Sequence, residues 1–411
     1  MITLGIETSC DETALALLES RMGPKQRRAY VGDFECRIVN SLVHSQAALH
    51  SAYGGVFPTL AKREHGKNLV PLLNKLLSGS PVPYRATLEP RDIAATALAL
   101  EDEIARQNPD LFETFIHAEF LKQVPAIDRI AVTEGPGLEP TLWVGINFAR
   151  LLGLLWHLPV VPVNHMEGHI VGSLLDPDAS FGSWQRLQTL RLPAIALLIS
   201  GGHTELVRID GIGRYHIIGQ TKDDAVGEAF DKVARLLGLP YPGGPHIARL
   251  SHEAAMEQIS SEVRLPRPMI KSSDLDFSFS GLKTAVLYAI RAHATPDGSL
   301  SETFKKGLAR EFERAVADTL DSKLRAGIEK TRARTVIVGG GVSANETLRA
   351  RFEKTAKEYR THIYLPSRHI SGDNALMIAL VAALDASPIK PGGRELKAEG
   401  TKRLGIPAPP I

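Results

Sequence analysis

The sequence predicts an α/β protein with two similar lobes, each organised around its own sheet. Three observations carry this reading. Short apolar, β-prone runs alternate with helical segments along most of the chain. A strand–turn–strand pattern opens the sequence, with Ile2–Glu7 apolar, 8–13 polar and 14–19 apolar again. The same pattern returns in mid-chain as Ala194–Ile199, the Gly-containing turn 200–204 and the run 205–209. The alternative for the two hairpins is that they are unrelated.

At 411 residues the chain is long enough for two or three domains. Hydrophobic residues make up 44% and charged residues 23%, which excludes a wholly disordered chain, a collagen-like repeat and a small disulfide scaffold. With 48 Lys and Arg against 46 Asp and Glu, the formal net charge is +2, which excludes a uniformly basic coat protein but not a local basic face. Cys10 and Cys36 are too few for a disulfide framework and read as reduced thiols of a cytoplasmic protein. No basic leader precedes an apolar core at the N-terminus. The longest apolar stretch, 142–163, contains Arg150 near its middle and reads as a buried helix followed by a buried strand, so no membrane partner is expected.

The remaining elements follow in order. Residues 130–133 read as a buried strand, Glu134-Gly135-Pro136-Gly137 as a turn, and the following run as a helix to about Trp156. Residues 225–237 read as a helix ended by Gly238, 303–331 as a long amphipathic helix and 375–384 as an apolar one. Two stretches look added: the polar segment 21–33, and 78–125 with its acidic run Glu101-Asp102-Glu103. From residue 387 the chain is rich in Pro, Gly and Lys and reads as an extended or disordered arm.

Both hairpin tips offer backbone N–H groups and hydroxyls suited to holding phosphate. Late in the chain a short strand, 335–338, runs into Gly339-Gly340-Gly341-Val342-Ser343-Ala344 and then a helix. This matches the dinucleotide pattern G-x-G-x-x-A, but the acidic partner should end the next strand, and Glu358 precedes the strand-like 362–365. A glycine turn packed against a nucleotide or its ribose remains, beside a plain tight turn.

The strongest local motif is Asn164-His165-Met166-Glu167-Gly168-His169. Histidines four apart on a helix lie within about 40° of each other and can reach one metal ion. In the zincin motif the general base directly follows the first histidine. Glu167 instead sits about 200° round the helix from His165, which disfavours proteolysis. The natural third ligand is a carboxylate from elsewhere, and the candidate is Asp373 in Ser371-Gly372-Asp373-Asn374. His₂–carboxylate ligation suits Fe(II) or Zn(II) and leaves open positions.

Gly5-Ile6-Glu7-Thr8-Ser9-Cys10-Asp11-Glu12-Thr13 resembles the N-terminal signature of a known family. So do Tyr53-Gly54-Gly55-Val56 with Pro58 and His65, Gly135-Pro136-Gly137, the His165/His169 motif, and Ser200-Gly201-Gly202-His203-Thr204. The series continues with Asp224 to Lys232, Tyr241-Pro242-Gly243-Gly244-Pro245, Phe277 to Lys283, Gly340 to Asn345 and Asp373-Asn374. Together, in order over about 1–385, these resemble the TsaD family of tRNA N6-adenosine threonylcarbamoyltransferases, bacterial type.

The resemblance implies the two-lobed acetate kinase/sugar kinase/Hsp70/actin (ASKHA) fold around a nucleotide and metal cleft. The lobes then fall at 1–175, with the insertion 78–125, and at 190–372; helix 373–386 packs back on the first, and 387–411 is the tail. It implies transfer of L-threonylcarbamoyl from threonylcarbamoyl-AMP to N6 of adenine 37 in tRNAs reading codons that begin with A, with TsaB and TsaE as partners. By motif, it places one divalent metal, Fe(II) ahead of Zn(II), on His165, His169 and Asp373. Donor binding falls to Leu198, Ile199, Ser200, Gly201, Gly202, Asp231, Gly244 and Asn345. Asp11 and Glu12 are the candidates for taking a proton from, or orienting, the adenine amine; the alternative is that they cap their turn. A base-rich stretch from Lys323 to Arg360 is the candidate for phosphate-backbone contact, beside a plain solvated helix face. The rival readings are an ASKHA kinase or ATPase, a nucleotide-binding scaffold and a metalloprotease.

Overall fold

The computed structural model describes residues 1–22, 34–89, 91, 95, 98, 104–177, 181–385 and 396–407. The acidic run 101–103 and nearly all of the polar segment 21–33 lie outside the described residues. The chain divides into two compact units. The first comprises Met1–Ala47, Val56–Thr189 and Asp373–Leu404, and the second Ala48–Gly55, Leu190–Gly372 and Gly405–Ile411.

The first unit contains β1 (Ile2–Glu7), β2 (Glu12–Met22), β3 (Phe34–Ser45), β4 (Tyr84–Thr87), β5 (Gln123–Pro125), β6 (Arg129–Gly135), β7 (Val160–Asn164) and β8 (Trp184–Arg186). Its main sheet has the order β7-β6-β1-β2-β3-β8. β1, β6 and β7 are parallel, whereas β2, β3 and β8 continue antiparallel. The second unit contains β9 (Ala194–Ile199), β10 (Thr204–Gly211), β11 (Arg214–Gln220), β12 (Thr335–Gly339), β13 (His362–Tyr364) and β14 (Ile406–Pro407). Its sheet has the order β13-β12-β9-β10-β11-β14, again with a parallel trio (β13, β12, β9) followed by an antiparallel pair. The recurring hairpins are therefore equivalent pieces of two sheets of one design, and this duplicated order is the ASKHA topology.

Each central strand is apolar because both faces of its sheet are covered. Every residue of β9 is buried. In the first unit, Leu4 and Ile6 of β1 face a core with Leu69 and Leu73 of the helix Pro58–Ser78 and with Phe148 and Leu152 of the helix Glu139–Leu155. On the opposite face, Ala131, Val161 and Val163 pack against Met377, Ile378 and Ala382 of the helix Ala375–Leu384. In the second unit, the helix Glu302–Thr331 presents Phe312, Val316 and Leu320 to Ile195 and Leu197, and Phe312 meets Phe230 edge to face at 5.1 Å. Ser301 starts that helix by accepting the Phe304 N–H at 3.1 Å.

Within the segment 78–125, β4 pairs with β5 to close its ends, and the helix Pro109–Ile116 lies on Gly66. Of the tail, only residues 396–407 are described, and these are packed rather than free. Leu396 and Ala398 join the first unit's core, Glu399 N donates to Glu134 O at 2.8 Å, and Lys402 pairs with the buried Glu134 carboxylate at 2.8 Å. Further on, β14 extends the second sheet beside β11. Burial of a few apolar residues and one satisfied ion pair outweighs the Pro- and Lys-rich composition.

Gly5 fixes how closely the helix Ala375–Leu384 approaches β1. A Cβ there would lie 2.2 Å from Ala375 O and 3.1 Å from Ala379 Cβ. Backbone cannot yield as a flexible side chain can, so Gly5→Ala is expected to destabilise the protein by about 1–3 kcal/mol, the range of core overpacking. Denaturant titration measures this, and a midpoint equal to wild type would contradict the close seating of this helix.

Candidate functional site

The sequence-chosen trio His165, His169 and Asp373 comes together within the first unit. One ligand atom from each lies within 4.8 Å of the others. β7 delivers His165 to the start of the helix His165–Gly172, where the Asn164 side chain caps by accepting from Met166 N at 2.9 Å and Glu167 N at 3.2 Å. One turn on, His169 presents its ring beside that of His165, with centroids 4.7 Å apart. Asp373 arrives at the start of the helix Ala375–Leu384, whose cap Asn374 accepts from Met377 N at 3.1 Å. The two helices pack closely because Gly168 leaves room for Met377 and Ile378.

Asp373 Oδ1 lies 3.4 Å from His165 Nε2 and 3.2 Å from His169 Nε2. His169 Nε2 is buried and makes no aligned hydrogen bond. A buried, unsatisfied imidazole nitrogen is costly. Together with a second imidazole and a carboxylate, it is the donor set that a divalent ion satisfies. Glu167, between the two histidines in sequence, is not one of the three grouped ligands.

Sequence reasoning missed the residue that holds His165 in place. Glu7 is fully buried at the end of β1. Its Oε2 lies 3.0 Å from His165 Nδ1 and accepts from Thr133 Oγ1 at 2.6 Å, while Oε1 accepts from Ser9 N at 2.5 Å. With Nδ1–H directed at Glu7, the Nε2 lone pair faces Asp373 and the metal position. The signal was available: a carboxylate closing an apolar strand must find a buried partner.

The site's charges are strongly interdependent. Burial by itself would strip the proton from His165, but the Asp373 and Glu7 carboxylates outweigh it and hold the imidazole well above its ordinary value. Burial opposes ionisation of Asp373, yet His165 and His169 hold it well below the usual carboxylate range. Glu12, on the hairpin tip between β1 and β2, is pushed well above that range by burial and by the nearby Asp373 and Asp11 carboxylates. The tip is braced by His65, which is 2.7 Å from Thr13 Oγ1 through Nδ1 and 3.0 Å from Cys10 O through Nε2. Both catalytic candidates thus sit on a fixed turn, and Glu12 lies within the field of the metal group.

The second unit holds all the donor-binding candidates: Leu198 to Gly202 and Asn345 stand at the carboxyl ends of the parallel strands β9 and β12, where ligands of α/β sheets bind, whereas Asp231 and Gly244 lie on the helices Val226–Leu236 and Gly243–Met256. Leu198 and Ile199 have fully buried side chains, so only their backbone can meet a ligand. The turn after β9 is closed by Ser200 N to His203 O at 2.9 Å and His203 N to Ser200 Oγ at 3.1 Å. Gly201 and Gly202 are exposed, with open space at the Cβ position. Gly340 has φ of +90°, and a Cβ there would lie 2.4 Å from Ile199 O, so only glycine lets this turn lie on the end of β9. Asp231 Oδ1 accepts from Gly243 N at 2.7 Å, next to the unobstructed Gly244. Asn345 is already engaged: Oδ1 caps the helix Glu346–Glu358 through Leu348 N at 3.0 Å, and Nδ2 donates to the buried Glu313 at 2.7 Å.

The basic stretch separates into two sets. Lys323 is buried, donating to Ser272 Oγ at 2.7 Å and Asp274 O at 2.8 Å. Arg325 pairs with Asp321 and Glu358, Arg351 with Asp318, and Arg349 donates to the carbonyls of Ser343 and Pro366. Arg332, Arg334, Lys354, Lys357 and Arg360 remain exposed.

Two outcomes follow for the metal group. Glu7→Gln is expected to weaken divalent-metal affinity about 10–100-fold, the usual cost of losing such an outer carboxylate; competition with a chelating dye measures it, and unchanged affinity would contradict the positioning role. Because His165 holds its proton above the ordinary value, metal binding at neutral pH must expel it, and affinity rises with pH. Calorimetric titration in buffers of different ionisation enthalpy is expected to show proton release, and a buffer-independent heat would contradict it.

The family model for "TsaD: tRNA N6-adenosine threonylcarbamoyltransferase" matches residues 37–99 and 114–380. A tRNA N6-adenosine threonylcarbamoyltransferase of Chromobacterium violaceum is 36% identical, covering 96% of this chain and 95% of its own. One of Aromatoleum aromaticum is 39% identical, covering 96% and 94%. Among solved structures, the activator of the 2-hydroxyisocaproyl-CoA dehydratase from Clostridium difficile with bound ADPNP aligns over 93% of each chain, at 15% identity and a TM-score of 0.43. Family model and relatives span nearly the whole sequence and agree: the chain belongs to the TsaD family of tRNA N6-adenosine threonylcarbamoyltransferases, enzymes of tRNA modification.

Proposed function

We propose that the chain transfers L-threonylcarbamoyl from threonylcarbamoyl-AMP to N6 of adenine 37 in tRNAs reading codons that begin with A, in the cytoplasm, with TsaB and TsaE as protein partners. The observation that carries the site assignment is the buried His165–His169–Asp373 group with its unsatisfied Nε2. In the reaction a bond forms between N6 and the carbamoyl carbon. The bond from that carbon to the phosphate oxygen breaks, AMP leaves, and N6 gives up one proton.

His165, His169 and Asp373 are the residues that would hold one divalent ion, Fe(II) in preference to Zn(II). When bound, such an ion supplies Lewis acidity toward oxygens of the donor. Glu7 keeps His165 in the ligating orientation. The Ser200–Gly202 turn offers N–H groups to phosphate or carbonyl oxygen. Asp231 and Gly244 flank the ribose position, and Asn345 orders the turn that follows β12. Glu12, with Asp11 beside it, is the acceptor for the N6 proton. Burial and the neighbouring Asp373 and Asp11 carboxylates push it up, whereas Glu7 and Asp373, which face His165, are held low. Cytoplasmic placement is supported by Cys10 and Cys36, which are both free thiols. Among the described residues no helix is long and apolar enough to cross a membrane.

The test combines the purified chain with threonylcarbamoyl-AMP, an unmodified tRNA transcript, TsaB and TsaE, followed by mass spectrometry of the nucleosides and metal analysis of the protein. Wild type is expected to yield threonylcarbamoyl-adenosine. Glu12→Gln is expected to lower turnover by about 10²–10⁴-fold, the scale of general-base catalysis, with metal content retained. Turnover at the wild-type level in Glu12→Gln would remove this residue from proton transfer.

A further inference from the structure

Several cations of the second unit are neutralised by neighbours. Arg249 pairs with Glu253, Lys306 with Glu253 and Glu257, and Arg267 with Glu311 and Asp318. Among the described residues, Arg264 and Arg314 lack such partners, and both are exposed. They line the same cavity, of about 270 Å³, between the loop 260–264 and the helix Glu302–Thr331.

Arg310 also lines this cavity, one helical turn from Arg314 and therefore on the same helix face. Its guanidinium donates through Nη1 to Ile259 O at 2.8 Å, which fixes it at the cavity wall. Ser260 adds a hydroxyl group, while the Ser261 hydroxyl donates to Val263 O at 2.8 Å. Gly307 lets the loop lie against the helix, since a Cβ there would meet Ser260 O at 3.1 Å and Ser261 Cα at 3.3 Å. Two acids also line the wall. Glu311 is already held by Arg267 and by Leu265 N, and Glu262 lies 3.8 Å from His293. The result is a concave site where three arginines stand against two acids, one of them already held by Arg267, with the Ser260 hydroxyl beside them.

We propose that this cavity seats one backbone phosphate of the tRNA substrate. Arginine forks match phosphate geometry, and the Ser260 hydroxyl adds a further donor. At about 270 Å³, lined by arginines and a serine hydroxyl, the cavity has room for a phosphodiester group. The proposal rests on tRNA as the substrate and assigns a contact that lies outside the Lys323–Arg360 stretch.

The experiment titrates the full chain, in complex with its protein partners, with an unmodified tRNA transcript across a range of salt concentrations. R264A/R314A is compared with wild type, with the charge-retaining R264K/R314K and with K354A/K357A. For R264A/R314A the expected result is affinity about tenfold weaker at ~0.1 M salt, with the log–log salt slope shallower by about one, as for loss of one phosphate contact. R264K/R314K is expected to keep most of the wild-type slope. Unchanged affinity and slope in R264A/R314A would overturn the proposal. So would a loss in R264K/R314K equal to that of the alanine variant, which would mark a structural effect. Loss of AMP binding with tRNA binding intact would also overturn it, by making the cavity a free-nucleotide site.

Discussion

The seating of one apolar helix on the first sheet governs the geometry of the metal group. The helix Ala375–Leu384 carries Asp373 and Asn374 at its N-terminus and lies against β1 at Gly5 and against the His165–Gly172 helix at Gly168. At both contacts the missing side chain sets the distance. Asp373 Oδ1 therefore comes within 3.4 Å of both imidazoles although it stands near the other end of the sequence. A shift of one side-chain radius at either glycine would separate the carboxylate from the histidines, so packing and ligation are one constraint.

The same burial sets the electrostatics. Glu7, Glu12, Asp373 and His165 share a region with little water, and the proton affinity of each depends on the others. Glu7 and Asp373 stay ionised because His165 is close to both; Glu12 lacks such a partner and is pushed the other way. This division sets Glu7 and Asp373, held low, apart from Glu12, pushed up. It arises from position alone, since all are ordinary Asp and Glu side chains.

Both units place their polar machinery at the carboxyl ends of their parallel strands. In the first unit these ends are Glu7 of β1, Gly135 of β6 and Asn164 of β7; in the second they are Ile199 of β9 and Gly339 of β12. One sheet design used twice thus provides two loop clusters. The first became rich in metal-type ligands, and the second in glycine turns with open backbone.

The sequence by itself determined the alternation of elements, the duplicated hairpins and the spacing of His165 and His169, because periodicity and local turn chemistry are written in neighbouring residues. The trio with Asp373 was legible as a donor set. Tertiary structure decided what local sequence does not encode. It made Glu7 the partner of His165 Nδ1, since a buried charge is defined by what surrounds it. It turned the amide of Asn345 toward Glu313 and a helix cap. It anchored a tail whose composition favours solvent. It also redistributed the positive charge: Lys323, Arg325 and Arg351 stand in a basic run yet face their own carbonyls and acids, whereas Arg264 and Arg314, far apart in sequence, share a cavity unpaired. Charge acts through distance in space, and chain order fixes only part of that distance.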